Sequence, residues 1–229
     1  MSEERTNFDE KNKGANYLQA KVRILVDCFN SGRYVQSESA ALAIISECPD
    51  HKLSWKILGV VLGLSGRLKE SLEANLTALK LSPNDEEIQN NLGNIFQDLG
   101  RFSEAEQSFL RAIELNPDFA EAHNNLGNTL NDLGRLLEAE TSYKRAIMLK
   151  PSYAEAHNNL GNIFRRLNKL EDAEQSHVKA IELQPDLTEA HRNLGDLLLK
   201  LGRYNEALDE KLKGSGLICF NTTSGWNFM

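Results

Sequence analysis

Asparagine side chains recur at a spacing of 34 residues through the middle of this 229-residue sequence. They form three groups of three and one later member: Asn90, Asn91 and Asn94, then Asn124, Asn125 and Asn128, then Asn158, Asn159 and Asn162, and finally Asn193. A carboxamide carries both a donor and an acceptor, so it can pair with a peptide backbone in either direction. A regular row of carboxamides therefore suits an extended polypeptide with little sequence preference. The competing interpretation is that the amides bond to neighbouring parts of the same fold.

Charged side chains follow the asparagines at fixed places in the same pattern. Successive pairs read Gln97-Asp98, Asn131-Asp132, Arg165-Arg166 and Leu199-Lys200. The charge thus changes from acidic to basic along the chain. We predict that the acidic part of a ligand lies near Arg165, Arg166 and Arg192, with ordinary variation of surface charge as the alternative explanation.

Three histidines, His123, His157 and His191, share the 34-residue spacing and raise the question of a metal site. Packed helices lie about 8–10 Å apart, so single histidines from successive units cannot converge on one ion. We therefore predict that they pack within the fold. The sequence also has no glycine-rich phosphate loop, nucleophile elbow or paired-cysteine zinc spacing. These observations predict a non-catalytic protein without a metal or cofactor.

The prolines reveal the repeat on which these residues lie. All five follow the 34-residue period, at Pro49, Pro83, Pro117, Pro151 and Pro185. A fixed period of this length indicates stacked supersecondary units. Six units, repeats 1 to 6, begin at residues 18, 52, 86, 120, 154 and 188, and the first residue of each is position 1. Position 15 is glycine in every repeat except repeat 5, where it is Asn168.

Each repeat is predicted to be two helices joined at position 15, since glycine and asparagine favour a left-handed turn. In the first helix, positions 4, 7, 8 and 11 share one packing face at about 100° per residue. Positions 2, 5, 6, 9, 12 and 13 share the opposite face, which carries the asparagines. Glycine at position 8 and alanine at position 20 let the two helices approach closely. Glutamates three residues after Asn84, Asp118, Ser152 and Asp186 have capping-box spacing, so these carboxylates are interpreted as structural.

The repeats resemble the tetratricopeptide repeat. The resemblance is clearest in repeats 3 and 4, at Leu92, Gly93, Phe96, Ala105, Phe109, Ala112 and Pro117, and at Leu126, Gly127, Leu130, Ala139, Tyr143, Ala146 and Pro151. It implies an all-α fold, a right-handed superhelical solenoid of about six helix-turn-helix repeats. It also implies that the asparagine face lines a concave groove that receives an extended peptide. The row at Asn91, Asn125, Asn159 and Asn193 is similar to the asparagine ladder in the repeats of O-linked N-acetylglucosamine transferase.

The two ends depart from the pattern. We expect a polar tail at 1–14, the repeat array at 15–213 and an apolar tail at 214–229. Leu25 replaces glycine in repeat 1, whereas Lys211 and Gly214 replace an aromatic residue and an alanine in repeat 6. The last helix is therefore predicted to stop near Lys213. The apolar tail is interpreted as a cap, a small hairpin over the last helix, or the start of a missing domain.

Composition excludes several classes of protein. A net charge of −7 argues against nonspecific nucleic-acid binding, which needs a basic surface. There is no apolar run of about 18 residues that would span a membrane. Residues 1–14 are charged and polar, so we expect no signal peptide there. Three cysteines without metal-ligand spacing are typical of reduced thiols. We therefore expect a cytoplasmic protein.

Together these patterns predict a non-catalytic interaction scaffold. Its partner is expected to be a protein or extended peptide of unknown identity, bound in the asparagine-lined groove. One alternative is the targeting arm of a larger or separate enzyme, such as a glycosyltransferase. Another is a structural scaffold that self-associates through its C-terminal tail.

Overall fold

The computed structural model describes residues 17–215 and the segments 221–222 and 225–226. Its helices are α1 (17–30), α2 (Tyr34–Glu47), α3 (Lys52–Leu64), α4 (Leu68–Leu81), α5 (Glu86–Asp98), α6 (Phe102–Leu115), α7 (Ala120–Asp132), α8 (Leu136–Leu149), α9 (Ala154–Arg166), α10 (Leu170–Leu183), α11 (Thr188–Lys200) and α12 (Tyr204–Gly214). Two short strands follow, β1 (Asn221–Thr222) and β2 (Gly225–Trp226). Apart from these strands, every regular element in the described part is a helix, which confirms the predicted all-α class.

A tight left-handed turn joins the two helices of each repeat. The position-15 glycines have φ values between 71° and 77°, and Asn168 has a φ of 60°. Among residues other than glycine, asparagine is one of the few that adopt this region routinely. The predicted helix-turn-helix division is therefore confirmed at position 15.

The helices of a repeat meet where position 8 faces position 24. A Cβ atom on Gly127 would lie 2.7 Å from the ring of Tyr143, and one on Gly161 would lie 2.7 Å from the ring of His177. Non-bonded carbon atoms that close would clash, so only glycine lets the ring lie against the first helix. This contact is the physical reason for glycine at position 8.

Repeat 1 makes the same contact with the sizes of the two residues exchanged. Leu25 stands at position 8 and Ala41 at position 24, and both are fully buried in one hydrophobic cluster. A large side chain on the first helix and a small one on the second fill the space that glycine and a ring fill elsewhere. The departure of Leu25 from the pattern is thus compensated within its own helix pair.

The chain divides into two compact units, Met1–Leu115 and Asn116–Met229. In the first unit, α4 packs on α5 through a cluster that contains Ala78, Ile88 and Leu92. In the second unit, Leu194 and Leu198 of α11 pack with residues of α10 and α12. In both units, the first helix of a repeat packs against the second helix of the repeat before it, and α9 also contacts α7 and α11. A first helix is therefore enclosed on several sides.

The predicted capping boxes are wrong. α5 is capped by Asp85, one residue after the expected Asn84. The N-cap residues of α7, α9 and α11 are Phe119, Tyr153 and Leu187. None of the three makes a side-chain cap hydrogen bond. These helices begin one residue later than the box spacing requires, so the expected caps lie outside the first turn.

The last helix ends at Gly214, next to the predicted stop at Lys213. Asn221 pairs with Trp226, and Thr222 with Gly225, in a minimal antiparallel hairpin. The rest of the apolar tail beyond residue 215 and the polar segment 1–14 lie outside the described residues.

Candidate functional site

The asparagines at position 5 are buried. Asn90, Asn124 and Asn158 are 8%, 3% and 2% exposed. Their predicted place on an open face is therefore wrong. The helical-wheel argument considered only the partner helix within a repeat, whereas α9 contacts α7 and α11, and α5 contacts α3. These neighbouring first helices cover the flank that carries position 5.

Amides at position 6 donate to the preceding repeat in the second unit. Asn159 Nδ2 lies 3.3 Å from Asn124 Oδ1 and 3.1 Å from Asn128 Oδ1. Asn193 Nδ2 lies 3.0 Å from Asn158 Oδ1, and Asn193 is itself buried. Such a bond contributes about 0.5–1.5 kcal/mol net, and an unpaired buried group costs about 1–3 kcal/mol. These amides therefore tie successive repeats together.

The amide oxygen at position 9 has hydrogen-bond partners in repeat 4 but none in repeat 5, and the residue at position 24 contributes to this difference. Tyr143 donates its hydroxyl to Asn128 Oδ1 at 2.7 Å. In repeat 5 the corresponding His177 places Nδ1 3.0 Å from Asn158 Oδ1 instead. Asn162 Oδ1 and His177 Nε2 are then buried without a hydrogen-bond partner among the described residues. Burial, assisted by a nearby arginine, lowers the pKa of His177 to about 4, so its ring is neutral at neutral pH.

The accessible part of the predicted face is narrower than the sequence implies. Of the asparagines predicted for the site, four in the second unit are half-buried: Asn125, Asn128, Asn159 and Asn162. In the first unit, Asn91 is half-buried and Asn94 is exposed. A ligand on either unit would therefore meet the edges of these amides and not a continuous open row.

Basic side chains lie beside the amides of α9 and α11. Arg166 and Arg192 are exposed, and Arg165 is half-buried. Arg166 donates to the backbone oxygen of Asn131 at 3.3 Å and to its side chain. Arg192 has a carboxylate oxygen 3.9 Å from its guanidinium group. Within residues 17–215, no carboxylate forms an ion pair with Arg165, Arg166 or Lys200.

Rings at position 4 bond to the proline carbonyl six residues earlier. The Nε2 atoms lie 3.0, 3.1 and 2.9 Å from the proline oxygens in the pairs His123–Pro117, His157–Pro151 and His191–Pro185. Trp55 Nε1 lies 2.6 Å from the Pro49 oxygen in the same way. This bond fixes the first helix to the loop before it. Sequence reasoning missed it, although a ring nitrogen six residues after four of the five prolines is a visible signal.

Metal-ligating side chains do not gather in the part of the chain that the structure describes, since no three His, Cys, Asp or Glu residues come together there. None of the described helices is long and apolar enough to cross a membrane. On the described surface of α9 and α11, a ligand would meet hydrogen-bonding amides and guanidinium groups.

The 34-residue unit matches known family models. Models of the tetratricopeptide repeat match residues 62–100, 90–154, 154–187 and 178–209. Together these spans cover more than half of the 229-residue chain. The chain belongs to the tetratricopeptide-repeat family. No curated protein matches it in sequence.

Solved structures share this tetratricopeptide-repeat fold. MamA is 25% identical with a TM-score of 0.61, over 69% of this chain and 93% of that one. PilW, described as a widely conserved type IV pilus biogenesis factor, is 20% identical with a TM-score of 0.79, over 87% and 94%. YrrB, described as having an unusual peptide-binding site, is 20% identical with a TM-score of 0.59, over 77% and 91%. These likenesses show an all-α repeat solenoid, and the family supports a protein-interaction scaffold.

Proposed function

We propose that the arginine face, the side of α9 and α11 that carries Arg165, Arg166, Arg192 and Lys200, binds an extended acidic segment of a partner protein. The observation that carries the proposal is uncompensated charge: Arg165, Arg166 and Lys200 have no ion-paired carboxylate within residues 17–215. Cationic side chains without an ion-paired carboxylate attract a partner of the opposite sign and orient it. In a chain with a net charge of −7, such a local excess of positive charge is a specific feature.

The asparagines have two roles in this proposal. The buried Asn124 and Asn158 accept hydrogen bonds from the following repeat and keep the first helices at a fixed spacing. The half-buried Asn125 and Asn128 present amide edges to the backbone of the ligand, and Asn162 offers only its Nδ2 group because its Oδ1 is buried. The peptide-binding site described for YrrB supports a peptide as the class of ligand.

The expected affinity is modest. Hydrogen bonds to charged groups contribute about 1.5–3 kcal/mol each and neutral ones about 0.5–1.5 kcal/mol. Ordering the ligand costs about 1–2 kcal/mol per residue. A few contacts of each kind therefore leave roughly micromolar binding. Because the main contacts are exposed charges, salt should weaken the complex.

Fluorescence anisotropy tests the proposal with two labelled peptides. One alternates glutamate with serine, and the other carries glutamine in place of glutamate. The acidic peptide should bind, and the paired substitution Arg165→Ala and Arg166→Ala should weaken binding at least about tenfold. Two exposed charge contacts of about 1 kcal/mol each account for this loss, since about 1.4 kcal/mol is a factor of ten.

The matched control is the pair Lys69→Ala and Lys80→Ala. Both lysines are exposed on α4, so this variant changes the net charge equally but leaves α9 untouched. It should bind the acidic peptide like the wild type. Equal binding by the two double variants, at equal thermal stability, would remove the arginine face from consideration.

A further inference from the structure

A groove of about 470 Å³ lies between α8, α9 and α10. Leu160 and Phe164, both nearly buried, form its apolar floor. Lys144 and Lys179 stand at its rim. The residues of α9 that line it occupy positions 4, 7 and 11, which point about 100° away from Arg165 and about half a turn away from Arg166. It is therefore a separate surface of the second unit.

In repeat 6, the position equivalent to this groove holds a carboxylate. Glu210, at position 23, has its carboxylate oxygens 2.6 Å from His191 Nδ1 and 2.6 Å from Lys213 Nζ. The side chain of Glu210 is only 16% exposed. A histidine at position 4 and a lysine at position 26 thus form a receptor for one carboxylate, and that carboxylate comes from the chain itself.

Repeat 5 has the same two basic residues without the carboxylate. His157 and Lys179 occupy positions 4 and 26, but position 23 is Ser176. The Ser176 hydroxyl donates to the backbone oxygen of Asp172 on its own helix. His157 uses Nε2 on the Pro151 carbonyl, and no described residue bonds to its Nδ1.

Repeat 4 compensates its basic residue in another way. Arg145, at position 26, lies 3.2 Å from the carboxylate of Asp118 in the preceding loop. The equivalent loop residue before repeat 5 is Ser152. Lys179 is left with Glu182, an exposed pair on one helix turn, and such pairs contribute only about 0–1 kcal/mol. Among repeats 4 to 6, repeat 5 alone lacks an acidic residue at both places.

We infer that the groove of repeat 5 binds the side-chain carboxylate of a glutamate from a partner polypeptide. The carboxylate takes the place that Glu210 fills in repeat 6, between His157 Nδ1 and Lys179 Nζ. An apolar side chain next to that glutamate packs on Phe164 and Leu160. The two rim lysines are paired with Glu140 and Glu182, so the match to the peptide rests on the place between His157 and Lys179 for its carboxylate and on the apolar floor for its neighbouring side chain.

Nuclear magnetic resonance of the histidine ring protons tests the inference with a capped peptide, acetyl-Leu-Glu-Phe-Leu-amide. Its matched control carries glutamine in place of glutamate. The glutamate peptide should shift the His157 signal, assigned by its loss in His157→Gln, and should bind at least about fivefold more tightly than the control. Burial, with Lys179 adding to it, lowers the pKa of His157. A bound carboxylate should raise this pKa by about 1 or more.

Ser176→Glu supplies the carboxylate from within the chain. This variant should raise the pKa of His157 without any peptide and abolish the response to the glutamate peptide, whereas Ser176→Gln should do neither. Equal binding of the two peptides, or an unchanged His157 pKa in Ser176→Glu together with undiminished peptide binding, would overturn the inference. The inference would also be overturned if a glutamine peptide with a free C-terminus bound and the capped glutamate peptide did not. The bound carboxylate would then come from a chain terminus and not from a glutamate side chain.

Discussion

His177→Tyr is expected to stabilise the second unit at neutral pH. Tyr143, at the same position in repeat 4, donates its hydroxyl to Asn128 Oδ1. Asn162 is the equivalent of Asn128, and its Oδ1 is buried without a partner in the described part. Tyrosine at position 177 supplies the missing donor. Satisfying the acceptor contributes about 1–3 kcal/mol and losing the bond from His177 to Asn158 costs about 0.5–1.5 kcal/mol, which leaves a gain of about 1 kcal/mol.

The larger effect of this substitution is expected in acid. Burial lowers the pKa of His177 from 6.5 to about 4, so the unfolded chain takes up the proton at a higher pH than the folded chain. The stability contributed by the neutral ring is complete above pH 6.5 and is lost as the pH falls toward 4. At about pH 5 the loss amounts to about 2 kcal/mol, and it is absent from the variant.

Urea unfolding followed by circular dichroism, at about pH 8 and about pH 5, measures this difference. Between the two values the wild type should lose about 2 kcal/mol more than His177→Tyr. The other histidines are common to both proteins and cancel in the comparison. Tyr143→His is the matched control, because it places an imidazole at the equivalent site and should add acid sensitivity. If wild type and His177→Tyr lose the same stability, the buried neutral ring is not the source of the acid sensitivity.

Substitutions at three further sites, Gly127, Asn168 and Glu140, test contacts within and between repeats by urea or thermal unfolding. Gly127→Ala should cost about 1–3 kcal/mol by overpacking, since its methyl group would lie 2.7 Å from the ring of Tyr143; no loss would contradict the close approach. Asn168→Ala should cost stability and Asn168→Gly should add it, because a left-handed φ of 60° strains a side chain by about 1–2 kcal/mol. Glu140→Gln should cost about 1 kcal/mol, as its carboxylate lies 2.6 and 2.9 Å from two lysine ammonium groups, whereas the exposed Glu138→Gln should cost less. Burial raises the pKa of Glu140, but the two lysines outweigh it and lower the pKa, so the difference between wild type and Glu140→Gln should shrink below pH 4.5.

The helix pairs could be predicted from sequence because they depend on local chemistry. A left-handed turn requires glycine or asparagine, and Asn168 satisfies this rule as well as the glycines do. A ring that lies against a helix requires a residue without a side chain, which explains Gly127 and Gly161. Both requirements act within one repeat and are therefore visible in 34 residues.

The burial of the asparagines depends on contacts between repeats, and a helical wheel omits them. Asn124 and Asn158 are enclosed because the next first helix sends an amide to each of them. The cap on α5 lies one residue beyond the position that the spacing predicts, at Asp85, whose side chain accepts from the backbone N–H groups of Glu87 and Ile88. Pairing adjacent asparagines across repeats, position 5 with position 6 of the next unit, would have indicated the contact.

The compensated pair Leu25 and Ala41 limits how hairpins of this protein can be recombined. A second helix copied from repeat 3 would bring the ring of Phe109 against Leu25, where no room exists for both. A first helix copied from a later repeat would leave an empty volume beside Ala41. An array lengthened by duplication can therefore reuse single helices of the later repeats. The two helices of residues 17–47 have to be copied together, because each fits only the other.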